Sequence, residues 1–349
     1  MRSRTSCRWG FLAALLFFAP ATAVQAVDVY YSEIGFGDTV SRQEATPTVA
    51  LGSNTTLISL PGGTRDPRGI AVDNVNGKIY YGDGLSIAYM NLDGSSPTTL
   101  IPLLSTPGDI EVDPVSGKIF YSTLFAAPGN GIYSANLDGT GVTPIHTTAS
   151  LALAMAPSTV TVNDVFNLSI DAAAGLLYWT ADDGGVAGRI GLNVSSTGGG
   201  GISQLFVGTG FSDSIDRMDL DLDAGEVYYT VGGGTDEVRR STLAGAGVTT
   251  LVSGIGRPSA IALDLVNDEM FFFVGGRIHQ RELDGTAISS KLILGGGVFA
   301  ASDMQVGVVV IPESSTWVLA GTGLCALFFC MPPYRSSPCL RRGSKALGR

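Results

Sequence analysis

The stretch DNVNGKIYYGD, residues 73–83, is followed forty residues later by DPVSGKIFYST, residues 113–123. Each copy begins with an aspartate, has a glycine four residues later, and then carries two adjacent aromatic residues. Such aromatic pairs occur six times, separated by 50, 40, 58, 50 and 43 residues. Periods of about 40 to 50 residues are typical of chains built from repeated supersecondary units. The pairs are Tyr30-Tyr31, Tyr80-Tyr81, Phe120-Tyr121, Tyr178-Trp179, Tyr228-Tyr229 and Phe271-Phe272.

One unit contains four short apolar segments, GIAVD (69–73), KIYYGD (78–83), IAYMNLDG (87–94) and TTLIP (98–102). Turns rich in glycine, asparagine and aspartate separate them, which is typical of antiparallel strands. Four such strands form one blade of a β-propeller. The sequence therefore predicts an all-β fold, a six-bladed β-propeller.

The first aromatic pair lacks the aspartate that stands seven residues before each of the other five pairs. Near the other end of the propeller region, DMQVG (303–307) aligns with DIEVD (109–113) but has no aromatic partner of its own. We therefore expect residues 303–307 to pair with residues 27–31, so that one blade is assembled from both ends of the region. Such pairing closes the ring and removes its open sheet edges.

Both chain ends carry export signals. Residues 1–26 combine three arginines, a short apolar run and small residues before Val27, the pattern of a secretory signal peptide. Residues 317–331 are apolar and uncharged, and five basic residues follow them, which predicts a short transmembrane helix with a cytoplasmic tail. The four cysteines lie only in these two end segments, so the propeller region is built without disulfides.

The C-terminal segment resembles the PEP-CTERM sorting signal of Gram-negative bacteria. Pro312 and Glu313 precede the hydrophobic segment and the arginine cluster, although Ser314 stands where the family has a proline. The resemblance implies processing by an exosortase-like enzyme and attachment to the membrane, at least transiently. The predicted organisation is a signal peptide (1–26), a propeller (27–310) and a sorting segment (311–349).

The propeller region is strongly acidic. It holds thirteen basic and thirty acidic residues, a net charge of about −17. Such a surface repels phosphate backbones, which argues against a nucleic-acid partner. Cations, proteins with basic patches and extracellular polysaccharides are the partners that remain.

The repeats resemble the YWTD propellers of the low-density-lipoprotein receptor, most clearly at YWTAD (178–182) and YYGD (80–83). In that family the repeated aspartates and aromatics hold neighbouring blades together, so the resemblance implies a structural role for them. Buried aromatic side chains also supply a large apolar area. The structural residues expected on this basis are Asp73, Asp113, Asp171, Asp221, Asp264, Tyr80, Tyr81, Phe120, Tyr121, Tyr178, Trp179, Tyr228 and Tyr229.

Signatures of catalysis are absent from the propeller sequence. It has no HExxH, CxxC, GxSxG or Walker-type motif and only two histidines, so we assign no catalytic residue and no resident cofactor. Asp219, Asp221 and Asp223 alternate as at the start of a calcium loop, but the loop glycine comes one place late and the closing glutamate is missing. Alternation along a strand explains the same three residues.

The mouth of the central channel is the expected binding surface of a propeller. The innermost strands begin four or five residues before each repeated aspartate, which selects polar residues that differ from blade to blade. These channel-mouth candidates are Arg68, Asp109, Asn167, Arg217, Ser259 and Asp303.

Two functions fit the sequence best, and a purely structural matrix protein with no specific ligand is a third alternative. The first is a non-enzymatic binding or scaffolding module, exported and held at the cell surface or in extracellular matrix. The second is a metal-dependent lactonase or lyase at the channel mouth, which requires Asp109, Asn167 and Asp303 to lie within about 6 Å of each other, since calcium–oxygen bonds are about 2.3 to 2.6 Å long.

Overall fold

The computed structural model describes residues 27–35, 38–46, 50–60, 66–103, 105–124, 130–147, 165–182, 190–207, 214–292 and 298–308. The chain divides into two compact units, Met1–Val309 and Val310–Arg349. The predicted signal peptide, the sorting motif Pro312-Glu313 and the predicted membrane segment lie outside the described residues. No helix among the described residues is long and apolar enough to cross a membrane.

The described residues form 24 strands in six four-stranded antiparallel sheets. Each sheet is one blade, whose strands are named from the innermost outward. Blade 1 contains β24 (Val298–Val308), β1 (Val27–Gly35), β2 (Thr39–Thr46) and β3 (Ala50–Ser59). Blade 2 contains β4 (Ile70–Asp73), β5 (Lys78–Gly82), β6 (Ser86–Asn91) and β7 (Thr98–Pro102). Blade 3 contains β8 (Thr106–Asp113), β9 (Lys118–Leu124), β10 (Gly131–Asn136) and β11 (Thr143–Thr147).

The second half of the chain repeats this arrangement. Blade 4 contains β12 (Val165–Asp171), β13 (Leu176–Asp182), β14 (Ile190–Ser196) and β15 (Ser203–Val207). Blade 5 contains β16 (Ser214–Asp221), β17 (Glu226–Gly232), β18 (Glu237–Thr242) and β19 (Thr249–Val252). Blade 6 contains β20 (Ile261–Asp264), β21 (Glu269–Val274), β22 (Arg277–Glu282) and β23 (Ala287–Leu292). The six innermost strands contact one another in succession, and β24 contacts β4 to complete the ring.

Blade 1 confirms the predicted closure. Its innermost strand β24 pairs with β1 so that Tyr31 lies opposite Met304 and Val27 lies opposite Val308. The two ends of the described chain therefore supply neighbouring strands of one sheet. All 24 strands and both halves of the closing blade lie within residues 27–308, so that segment contains the complete ring.

The aromatic pairs explain how the blades pack. Successive residues of a strand point to opposite faces of the sheet, so each pair sends one ring to the preceding blade and one to the next. Tyr30 of blade 1, for example, packs in one buried cluster with Tyr81 of blade 2, and Tyr80 packs with Tyr121 of blade 3. All six buried apolar clusters have this composition, one at each boundary between blades.

The repeated aspartates have a different, local role. Oδ1 of Asp73 accepts hydrogen bonds from the main-chain N–H groups of Val75 and Asn76, at 3.0 and 2.9 Å. The same bonds recur at Asp113 and Asp264, and Asp171 and Asp221 each accept one N–H from the third residue of the turn. The resemblance to YWTD repeats implies contacts between blades for these aspartates. These hydrogen bonds instead fix the turn of the aspartate's own blade.

Candidate functional site

The strand registers define a ring of six equivalent residues at the start of the innermost strands. Each stands directly before the residue that pairs with the second aromatic of its blade. We call this set the mouth ring. It consists of Gly69, Asp109, Asn167, Arg217, Ala260 and Asp303.

Four of the six sequence candidates therefore belong to the mouth ring, and two lie one residue earlier. Arg68 is half-buried and forms an ion pair with Asp66 at 3.4 Å. Ser259 donates its main-chain N–H to the carbonyl of Phe273 at 3.0 Å. In blades 2 and 6 the ring positions themselves are taken by Gly69 and Ala260, which carry no polar side chain.

A second ring lies two residues further along each innermost strand, on the same face because side chains alternate. We call it the inner ring. It consists of Ala71, Glu111, Ser169, Asp219, Ala262 and Gln305. Glu111 and Gln305 are not among the site residues predicted from the sequence. The alternation itself was the signal that could have identified them.

Polar side chains of both rings bind the next blade through its main chain. A carboxylate or amide oxygen of one innermost strand accepts an N–H of the following innermost strand at four of the six boundaries. The bonds are Ile70 N to Asp303 Oδ2 (2.9 Å), Leu168 N to Asp109 Oδ2 (2.6 Å), Met218 N to Asn167 Oδ1 (2.8 Å) and Leu263 N to Asp219 Oδ2 (2.9 Å). We call these four bonds the blade clasps.

The second oxygen of each clasping carboxylate is also engaged. Oδ1 of Asp109, Asp219 and Asp303 accepts the N–H of the residue that follows it, at 2.8 to 2.9 Å. Asn167 also donates its Nδ2–H to Asp109 Oδ2 at 2.7 Å. Buried polar groups are stable only when their hydrogen bonds are satisfied. These carboxylates are satisfied by protein donors.

The small residues of blade 2 let side chains of blades 1 and 3 meet across it. Gln305 of blade 1 donates its Nε2–H to Glu111 Oε1 of blade 3 at 3.1 Å. The charge of Asp303 in blade 1 also acts on the carboxyl group of Asp109 in blade 3. Gly69 lies between these blades with a positive φ of 69°, and a Cβ there would lie 2.7 Å from the Asp109 Cα. Glycine is therefore required at this ring position.

Burial and mutual repulsion govern the electrostatics of this acidic cluster. Burial, and then the charge of Asp303, raise the pKa of Asp109 well above its ordinary value, while Arg217 acts in the opposite direction. Burial, followed by the charges of Asp219 and Asp303, also raises the pKa of Glu111. Burial raises the pKa of Asp219 to about 6, against the hydrogen bonds from two main-chain N–H groups. The cluster therefore favours bound protons.

Of the three residues named for a lactonase site, Asn167 contacts Asp109 at 2.7 Å, and the charge of Asp303 acts on Asp109. Among the described residues, however, no group of three or more His, Cys, Asp or Glu side chains is arranged to hold a metal ion. Of the calcium-loop residues, Asp219 forms a blade clasp and Asp221 accepts the N–H of Ala224 in the turn.

The buried histidine lies outside both rings. His146 Nε2 is 2.8 Å from Ser195 Oγ, and its ring packs on Trp179 with 5.3 Å between ring centres. Burial lowers the pKa of His146. Because His146 is only 2% exposed, this pair is a contact between blades 3 and 4 and is closed to substrates.

No family model matches the sequence. Among solved structures, a chain of a nidogen/laminin complex matches with a TM-score of 0.63 and 15% identity, covering 81% of this chain and 98% of that one. TolB from Acinetobacter baumannii matches with a TM-score of 0.60 and 13% identity, covering 81% of this chain and 66% of that one. Identities this low establish a shared fold alone. The described chain is a six-bladed β-propeller whose fold is similar to those of nidogen and TolB.

Proposed function

We propose that this protein is an exported, envelope-associated propeller that binds or scaffolds a partner and is not an enzyme. The observation that supports this most directly is the engagement of the channel carboxylates by protein donors. Both oxygens of Asp109, Asp219 and Asp303 accept hydrogen bonds, most of them from main-chain N–H groups. A metal or a substrate would have to displace these bonds and open the ring.

The partner class follows from the charge and the fold. A net charge of about −17 on the propeller region favours proteins with basic patches or neutral extracellular polysaccharides. Loops held by a rigid ring are the usual place for recognition on such a scaffold. The propeller would present these loops without changing shape, as a scaffold requires.

A calcium titration tests the non-enzymatic assignment. A ligand that binds only the folded state at about a hundred times its dissociation constant stabilises it by about 2.7 kcal/mol. We expect the thermal midpoint to be the same in calcium and in chelator, and no lactone hydrolysis. A calcium-dependent rise that disappears in Asp303→Asn would establish the metal-dependent alternative, for which the contact of Asn167 with Asp109, under the influence of the Asp303 charge, is the supporting observation.

The proposed export and C-terminal processing of the protein require a separate measurement. We expect mass spectrometry of the mature protein from its own host to show a first residue at Val27 and a C-terminus that lies within the segment 311–349 but before Arg349. Recovery of residues 317–349 intact would refute processing of the sorting signal and would leave a plain membrane anchor.

A further inference from the structure

Among the residues that the structure describes, exposed apolar side chains are concentrated on one face of the ring. We call this the turn face, because it carries the turns that join the first strand of each blade to the second and the third to the fourth. Eight large apolar side chains of the described residues are exposed, and seven of them lie on this face. They are Val75 (75%), Val115 (93%), Val142 (47%), Leu222 (38%), Val248 (53%), Leu265 (43%) and Val266 (62%). The eighth, Leu85 (58%), lies on the opposite face.

The most exposed of these side chains occupy one repeat position. Val75, Val115 and Val266 each stand two residues after the repeated aspartate, which accepts their main-chain N–H. Equivalent positions in equivalent blades lie at the same level around the axis of the ring. The valines are therefore held at a common height by the hydrogen-bonded turns. Apolar side chains at one height are suited to contact with a flat apolar surface and less suited to insertion into a pocket or a groove.

Both ends of the described chain leave from this same face. The innermost strands run from the mouth ring towards the turns, so β24 ends on the turn face at Val308. Because Val27 pairs with Val308, β1 begins there as well. In the sequence, the predicted membrane segment starts nine residues after Val308.

The charge of the turn face determines which of the candidate binding partners can contact it without repulsion. Its outer turns carry three exposed aspartates, Asp93, Asp138 and Asp284. Hydrogen bonds from Ser95, Thr140 and Thr286, respectively, lower the pKa of each, so all three are ionised at neutral pH. A second copy of the chain would bring like charges together, and anionic lipids would be repelled in the same way. A neutral, zwitterionic lipid surface avoids both penalties.

We propose that the turn face docks on a zwitterionic bilayer surface through the valines at its turn tips. The biological setting of this contact rests on the proposed envelope location, but the contact itself does not depend on export. Interfacial binding strength scales with the apolar area buried, modified by the charge of the lipids. The channel mouth, on the opposite face, then points away from the membrane and is available to a partner.

Vesicle flotation with residues 27–308, which contain the complete ring, tests the proposal without the predicted membrane segment. We expect the segment to float with phosphatidylcholine vesicles. The triple variant Val75→Asn, Val115→Asn, Val266→Asn should bind at least about tenfold more weakly, since burying one valine fully is worth about a factor of ten. Leu85→Asn, the matched control on the opposite face, should bind as the wild type does.

Lipid composition supplies a second criterion. Replacing about a third of the lipid by phosphatidylglycerol should weaken binding, because the turn face is acidic. Val115→Asn alone, at the most exposed position, should show a partial loss even if the triple variant folds poorly. Failure of the wild type to float, or equal binding by the triple variant and the control, would overturn the proposal. Neither result would affect the mature termini on which the proposed function is tested.

Discussion

Asp219 offers the sharpest test of how the acidic interior affects stability. Its carboxylate clasps Leu263 of the next blade, and burial raises its pKa to about 6 from an ordinary value of 3.8. Each pKa unit corresponds to about 1.36 kcal/mol, so keeping Asp219 ionised in the folded state costs at most about 3 kcal/mol. The folded protein binds this proton more tightly than the unfolded chain does. The contribution of Asp219 to the unfolding free energy is therefore greatest below about pH 4 and is lost as the pH rises through about 6.

The substitution Asp219→Asn removes this titration and keeps one acceptor for the two N–H groups. Loss of the other acceptor adds a penalty of about 1 to 3 kcal/mol that does not depend on pH. We therefore expect the wild type to lose up to about 3 kcal/mol relative to the variant between about pH 4 and about pH 7. Urea unfolding followed by the fluorescence of buried Trp179 measures the difference. His146 and His279, whose pKa values are lowered by burial, contribute equally to both proteins and cancel.

Asp93→Asn is the matched control. Its carboxyl is exposed, and hydrogen bonds from Ser95 lower its pKa, so its contribution is present at neutral pH and is lost on acidification. The pH dependence of the control should have the opposite sign to that of Asp219→Asn. A free-energy difference between wild type and Asp219→Asn that is the same at all pH values would refute the assignment of a raised pKa to the clasping carboxylate.

Four further predictions concern the ring. Gly69→Ala should destabilise the protein clearly more than Gly77→Ala, as measured by thermal unfolding. A Cβ at residue 69 would meet the Asp109 backbone, whereas a Cβ at residue 77 meets nothing within 4 Å. Gly77→Ala therefore carries only the left-handed backbone cost of about 1 to 2 kcal/mol. Asn167→Ala should cost about 1 to 3 kcal/mol in urea unfolding by leaving a buried N–H without an acceptor, and no loss would show that the clasp contributes nothing. Because burial lowers the pKa of His146, wild-type stability should fall on acidification below about pH 6.5, and His146→Asn should remove part of that fall; identical pH profiles would contradict this. A chain ending at residue 308 should unfold cooperatively by circular dichroism, whereas one ending at residue 297 lacks β24 and should not; cooperative unfolding of both would refute the closure.

The polar interior of the ring holds the blades together. Apolar clusters join neighbouring blades at every boundary, and the blade clasps add directional bonds close to the axis at four of them. The clasps tie together residues far apart in the chain, as Ile70 and Asp303 show. The six blades are therefore joined by contacts between residues that are distant in the sequence.

The blade number, the strand order within a blade and the closing pair could all be predicted from the sequence. Each depends on a pattern that repeats locally: two aromatics that need opposite faces, and an aspartate that fixes its own turn. The pairing of residues 303–307 with residues 27–31 followed because the last segment had an aspartate but no aromatic pair, and the first had the reverse. Patterns of this kind can be read along the chain without knowing how the blades contact one another.

The composition of the site was decided by the tertiary structure. Glu111 and Gln305 meet because blade 2 contributes only Gly69 and Ala71 between them, and no local pattern encodes a contact made across an intervening blade. Gly69 and Ala260 were not predicted because they carry no polar side chain. The sequence pattern indicated the polar residues one position earlier, Arg68 and Ser259. The sequence alone determined the units and their number, since these depend on neighbouring residues along the chain. Only the closed ring determined which side chains face each other at its axis, because that depends on how six separately formed sheets come into register.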